Sequence, residues 1–125
     1  MRLLLDTHIF LWAVQGNASL KPHVRRMMEA AEQVYVSAAS IWEIAVKSRL
    51  GKIEAGAIDL VEAIEESGFF ELPVRALHAA GVAELPLHHT DPFDRLLVSQ
   101  AMEEPLRLLT VDKVLRQYGD LVILV

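Results

Sequence analysis

An alternation limits what this chain can become. Short runs that are apolar at nearly every position are separated by longer stretches whose apolar residues return at helical spacing. A continuously apolar run of three to five residues suits a strand buried on both faces, and the helical stretches between such runs supply the covering layers. The runs fall at 2–5, 34–36, 69–72, 106–110 and 121–125. Between them the sequence predicts helices over 7–14, over 20–33 with Pro22 in the first turn, over 38–50 behind Ser37 as cap, and over 58–68. Weaker helical patterning covers 74–85, a stronger helix opens at "DPFD" and stops before Pro105, and a short one covers 112–119. Gly51, Gly68 and Pro73 supply the stops. Strands alternating with helices imply right-handed crossovers and a mainly parallel sheet, hence a single-domain three-layer α/β/α sandwich. In such folds the ligand site lies at the carboxyl edge of the strands.

The totals narrow the function classes. The 125 residues suit one domain, and the Leu, Val, Ile and Ala content is enough for a core. With no cysteine, disulfides and thiolate zinc sites are excluded, which is compatible with a reducing cytosol, and the expected location is cytoplasmic. "MRLLLDTH" does not read as a signal peptide, because Asp6 interrupts the apolar run too early, and no apolar stretch is long enough to span a bilayer. The net charge is −5, so a nucleic-acid binder of this composition needs a local basic patch.

The predicted topology sorts the acids. Asp6 directly follows the first strand and Asp112 follows the strand at 106–110, so both belong to the carboxyl edge. Glu43 lies in the second turn of the helix after the second strand. Asp94 opens a helix that runs back toward the amino edge of the next strand, so its start lies at the carboxyl edge too. Each acid also has an ordinary structural role open to it. Asp6 and Asp112 can cap helices, Glu43 can pair with Lys47 at i, i+4, and Asp94 can act as the reciprocal partner in a capping box. Those roles do not explain why all four share one rim. Two carboxylates about 5 Å apart repel by roughly 3 kcal/mol at an effective dielectric near 20. Four could cost on the order of 10 kcal/mol, comparable to the stability of a small domain. Either some are protonated or a cation sits among them, and an all-oxygen site selects Mg²⁺ or Mn²⁺. In "TDPFD", Asp91 with Pro92 reads as the helix cap. Asp94 is left to face the rim, where the positive end of the helix dipole is expected to keep it ionised.

The segments "LLLDTH", "SAASIWEIAVKSRLGK", "HHTDPFDRLLVSQA" and "LLTVDKVLRQYG" together resemble a PIN-domain ribonuclease, with the nearest likeness to the toxin subunits of VapBC-type toxin–antitoxin pairs. The likeness runs from residue 3 to about residue 120. It implies an α/β/α fold, an acidic quartet at Asp6, Glu43, Asp94 and Asp112 that holds Mg²⁺ or Mn²⁺, and metal-dependent cleavage of single-stranded RNA. It further implies a small antitoxin that places a basic side chain among the carboxylates, and a homodimer. Thr7 and Thr110 fall where the family often has a hydroxyl beside the acids.

Lys47, Arg49 and Lys52, with Arg95 beside Asp94, are the candidate phosphate contacts, against the ordinary alternative of a solvated helix end. His8, His88 and His89 lie near the rim, as metal or proton-transfer groups or as plain loop residues. Trp12 and Trp42 read as core or interface before base-stacking platforms. Competing readings are a receiver-like signalling domain with an acidic Mg²⁺ pocket, a haloacid-dehalogenase-type phosphatase, and a non-catalytic RNA- or partner-binding module. The receiver wants paired acids after the first strand, where Asp6 is followed by Thr7, and the phosphatase wants Asp-x-Asp there.

Overall fold

The computed structural model describes all 125 residues. Five strands form one sheet: β1 (Arg2–Leu5), β2 (Gln33–Ser37), β3 (Phe70–Leu72), β4 (Arg107–Thr110) and β5 (Val122–Leu124). Their order is β3-β2-β1-β4-β5, and all four pairings are parallel, so the expected "mainly parallel" sheet is parallel throughout. Six helices cover it: α1 (Thr7–Gln15), α2 (Pro22–Ala30), α3 (Ala38–Arg49), α4 (Ala57–Glu66), α5 (Ala76–Gly81) and α6 (Pro92–Glu103). No helix is long and apolar enough to cross a membrane.

The strands divide their side chains between two cores, as the two-residue period of a strand requires. Leu3 and Leu5 of β1 join Val34, Val36 and Leu109 beneath Ile9, Phe10, Val24, Ile44, Leu60 and Ile64 from α1 to α4. Leu4, between them, faces the other way and packs with Leu72, Leu108 and Val122 against Leu97, Val98 and Ala101 of α6. The result is the three-layer sandwich expected.

Three helical expectations need correction. The helix placed over 20–33 ends at Ala30, because the next residues turn extended and the Glu32 amide donates to the Met1 carbonyl, so that β2 already begins at Gln33. The stretch 74–85 gives only the short α5, followed by a 3₁₀ turn at Val82–Glu84. A side chain at the junction residue Gly81 would meet the Ser99 hydroxyl of α6 at 2.6 Å and push it off its bond to the His78 carbonyl. The stretch 112–119 forms a 3₁₀ helix, Lys113–Tyr118, not an α-helix.

The sheet order also bears on function. The chain reverses its direction of winding between β1 and β4, and the crevice at such a switch point is where open α/β sheets bind ligands. A receiver-like domain has the order 2-1-3-4-5, which this sheet does not follow.

Candidate active site

Asp6 leaves the end of β1 and Asp112 follows the end of β4, so the two sit on either side of the switch point. Here the Asp6 amide extends the β1–β4 ladder by donating to the Leu109 carbonyl at 3.0 Å. Glu43 comes from the second turn of α3 and Asp94 from the first turn of α6. All four acids line one concave pocket of about 370 Å³, together with His8, Trp12, Lys47, His89 and Asp91. The pocket is polar in the main, with only two hydrophobic residues in its wall.

Each acid is held differently. Asp6 is almost fully buried and spends both oxygens inside the protein. Oδ1 accepts from the Ile9 amide at 2.8 Å as the cap of α1, and Oδ2 accepts from the Thr110 hydroxyl. Glu43, 3% exposed, accepts at Oε1 from the Thr7 hydroxyl at 2.6 Å and at Oε2 from Lys47. Asp112 caps the 3₁₀ helix through Oδ1, which accepts from the Val114 amide at 3.0 Å, while its Oδ2 lies 2.8 Å from His89 Nε2. So the ordinary structural roles of these three acids are real, and they coexist with convergence on one pocket. Asp94 differs. Its nearest polar partner is His89 Nε2 at 3.4 Å, and the capping of α6 belongs to Asp91, whose Oδ1 accepts from both the Phe93 and Asp94 amides. Asp94 is no capping-box partner either, because the Asp91 amide donates to His89 Nδ1.

Burial raises the Asp6 carboxyl above its ordinary value, against the opposing pull of the Thr110 and Ile9 bonds. Asp94 is pushed from 3.8 to about 7, first by burial and then by the charges of Asp91 and Glu43. The helix dipole was expected to keep Asp94 ionised. It does not prevail, because a dipole end contributes about 1 kcal/mol and the burial and like charges together outweigh it. Lys47 is held above its usual range, mostly by its hydrogen bond to Glu43 and, against the cost of partial burial, by the charges of Glu43, Asp91 and Asp94. The repulsion among the acids is thus relieved in two ways inside the chain: a proton on Asp94 near neutrality and the Lys47 ammonium.

The donor set fits a hard divalent cation. It consists of carboxylates with no sulfur, and Asp94 has no protein donor within normal hydrogen-bond distance. His89, Asp94 and Asp112 offer atoms within 4.8 Å of one another. From the sequence, His89 could be a metal or proton-transfer group or a plain loop residue. Its signal was the "HHTDPFD" stretch, which places it two residues before the α6 cap.

The remaining expected site residues divide. Thr7 and Thr110 are buried, 2% and 0% exposed, and their hydroxyls hold Glu43 and Asp6 rather than facing a substrate. Lys47 lines the pocket. Arg49 is the last residue of α3, exposed and outside the pocket wall. Arg95 turns away from the rim and braces the loop before α6, donating to the carbonyls of Val82 at 3.0 Å and Pro86 at 3.1 Å and to the Tyr118 hydroxyl at 3.1 Å. Trp12 packs against the core and lines the pocket, whereas Trp42 is 60% exposed and stacks edge-on against Phe93.

The model of the PIN domain family matches residues 3–121, and the chain belongs to that family. No curated protein matches the chain by sequence. Among solved structures, the fold is similar to VapBC2 from Rickettsia felis bound to a DNA fragment from their promoter, with a TM-score of 0.71 at 16% identity over 100% of this chain and 98% of that one. It is also similar to a toxin–antitoxin complex from Klebsiella pneumoniae, with a TM-score of 0.68 at 17% identity over 97% of this chain and 95% of that one. DNA-bound VapBC from Salmonella typhimurium gives 0.69 at 12% identity over 95% and 93%.

Proposed function

We propose that the protein is a Mg²⁺- or Mn²⁺-dependent endoribonuclease that cuts single-stranded RNA, acting as the toxin of a toxin–antitoxin pair in the cytoplasm. The observation that carries this reading is the meeting of Asp6, Glu43, Asp94 and Asp112 in one pocket at the β1/β4 switch point. Membership of the PIN family and the likeness to toxin–antitoxin complexes support it. Asp6, Glu43, Asp94 and Asp112 would hold the ion. When bound, it would activate water and stabilise charge at the phosphate. The chain's own residues prepare for that. Thr110 and Thr7 fix the Asp6 and Glu43 carboxylates from behind. Asp94, raised to about 7 by burial and the neighbouring charges, would hold the ion in its ionised form. Lys47, with Arg49 further along α3, offers positive charge to the RNA backbone next to the acids.

An antitoxin with a basic side chain would silence such a site by taking the place of the metal's charge, as Lys47 already does for Glu43. The homodimer is supported by Trp42 and Val46, exposed at i and i+4 on one face of α3, and by Leu50, exposed at its C-cap. The test is expression in a bacterial host without a partner, beside incubation of the pure protein with single-stranded RNA and Mn²⁺. Growth arrest and cleavage are expected; unimpaired growth with intact RNA would remove the toxin reading. Light scattering should give twice the chain mass, and a monomer at high concentration would remove the dimer.

A further inference from the structure

We propose that His89 is a positioning residue of this site. Held as its Nε2–H tautomer by the Asp91 amide, it donates to the Asp112 carboxylate, stands 3.4 Å from Asp94 Oδ2, and so sets the gap between the two acids for a divalent ion, without binding the ion itself. The inference rests on the metal-dependent reading above.

The tautomer follows from the hydrogen bonds. His89 Nδ1 faces the Asp91 N–H at 3.0 Å, so its lone pair is occupied and it carries no proton. The proton of the neutral ring is therefore on Nε2, which lies 2.8 Å from Asp112 Oδ2 and 3.4 Å from Asp94 Oδ2. A histidine binds metal through a bare nitrogen, and here the bare nitrogen points at the backbone, away from the acids. A carboxylate oxygen has two lone pairs, so Asp112 Oδ2 can accept from His89 and still face a cation. This is the arrangement in which outer donors orient the ligands of a metal.

The loop that delivers His89 is built to hold it still. The Tyr118 hydroxyl accepts from the His89 amide at 3.2 Å and from Arg95, and donates to the Pro86 carbonyl at 2.9 Å. Arg95 closes the same loop through the Val82 and Pro86 carbonyls. The ring of His88 rests edge-on against Tyr118 at 5.0 Å. Asp94 lies in the first turn of α6 and Asp112 caps the 3₁₀ helix after β4; His89 bonds to Asp112 and stands 3.4 Å from Asp94, so it sits between two parts of the chain that each contribute one acid.

The test uses the full chain with Mn²⁺ or Mg²⁺ alone as the probe. His89→Ala should weaken calorimetric Mn²⁺ binding by about 10- to 100-fold, the usual effect of losing an outer donor, while the metal-free melt moves little. His89→Gln should restore most of the affinity, because its amide N–H reaches the same place as Nε2–H. In nitrogen NMR of the parent, His89 should keep its proton on Nε2 when Mg²⁺ saturates the site. Mn²⁺ binding by His89→Ala as tight as the parent's, or tighter, would overturn the proposal. So would a Gln variant as weak as Ala, or a shift of the ring proton to Nδ1 with Mg²⁺. The NMR result decides the matter even if His89→Ala does not fold. If the parent itself binds no Mn²⁺, the nuclease reading falls and the proposal with it; binding that ignores His89 removes the proposal alone.

Discussion

Asp94→Asn separates the cost of the acidic pocket from its use. In the parent, the folded state holds the Asp94 proton up to about pH 7, whereas the unfolded chain releases it near 3.8. Between those values folding takes up a proton, so stability falls as pH rises through that window and levels off above it. The full shift corresponds to about 4 kcal/mol at its upper limit. The side chain is 21% exposed and water screens part of the effect, so about 2–3 kcal/mol is the working figure. Asparagine keeps the shape and removes the titration. Metal-free Asp94→Asn should therefore melt about 6–12 °C above the parent at pH 7.5, taking about 3–4 °C per kcal/mol for a chain of this length. At pH 5 the gap should shrink by more than half. Circular dichroism melts with a chelator present, at several pH values between 5 and 8.5, provide the assay. A gap that does not change with pH, or a parent that gains stability from pH 5 to 7.5 relative to the variant, would mean that Asp94 is not held protonated by the fold.

Asp91→Ala should cost about 1–2 kcal/mol in urea unfolding, because Asp91 caps α6 through two amides, while cleavage is reduced far less than by loss of Asp94. Lys47→Ala leaves Glu43 buried with only Thr7 for company and should destabilise by about 2 kcal/mol, less than a fully buried pair because Lys47 is 28% exposed; millimolar Mn²⁺ should recover part of that loss in the same melts. Mn²⁺ added to the parent should raise the melting temperature and EDTA should reverse it, since an ion that binds only the folded pocket stabilises by mass action.

Much of the fold was legible because buried parallel strands leave a continuous apolar signature that interruptions such as Asp6 and Pro73 delimit. Legible too was the shared rim of Asp6, Glu43, Asp94 and Asp112, since topology alone fixes which ends of strands and helices meet. The sequence misled where tertiary contacts decide. The amide of Glu32 joins Met1, so α2 stops short, and no local pattern encodes that bond. Arg95 is a basic residue next to an acid, as a phosphate contact would be, yet four acceptors in and around the loop before α6 claim its guanidinium. The ionisation of Asp94 was misjudged because the helix dipole can be read from sequence, whereas burial and the nearness of Asp91 and Glu43 cannot. The role of His89 was equally out of reach, for it depends on which ring nitrogen meets the Asp91 amide.

In the proposed function, Asp6, Glu43, Asp94 and Asp112 hold the ion that RNA cleavage requires. The rate of single-stranded RNA cleavage by the parent and by Asp94→Asn, measured side by side across a Mn²⁺ titration, tests this. The parent should cleave in proportion to Mn²⁺ occupancy and stop with EDTA, and the better-folded Asp94→Asn should be inactive at every concentration. Cleavage by Asp94→Asn at the parent's rate, or parent cleavage that persists in EDTA, would mean that these acids do not hold a catalytic ion.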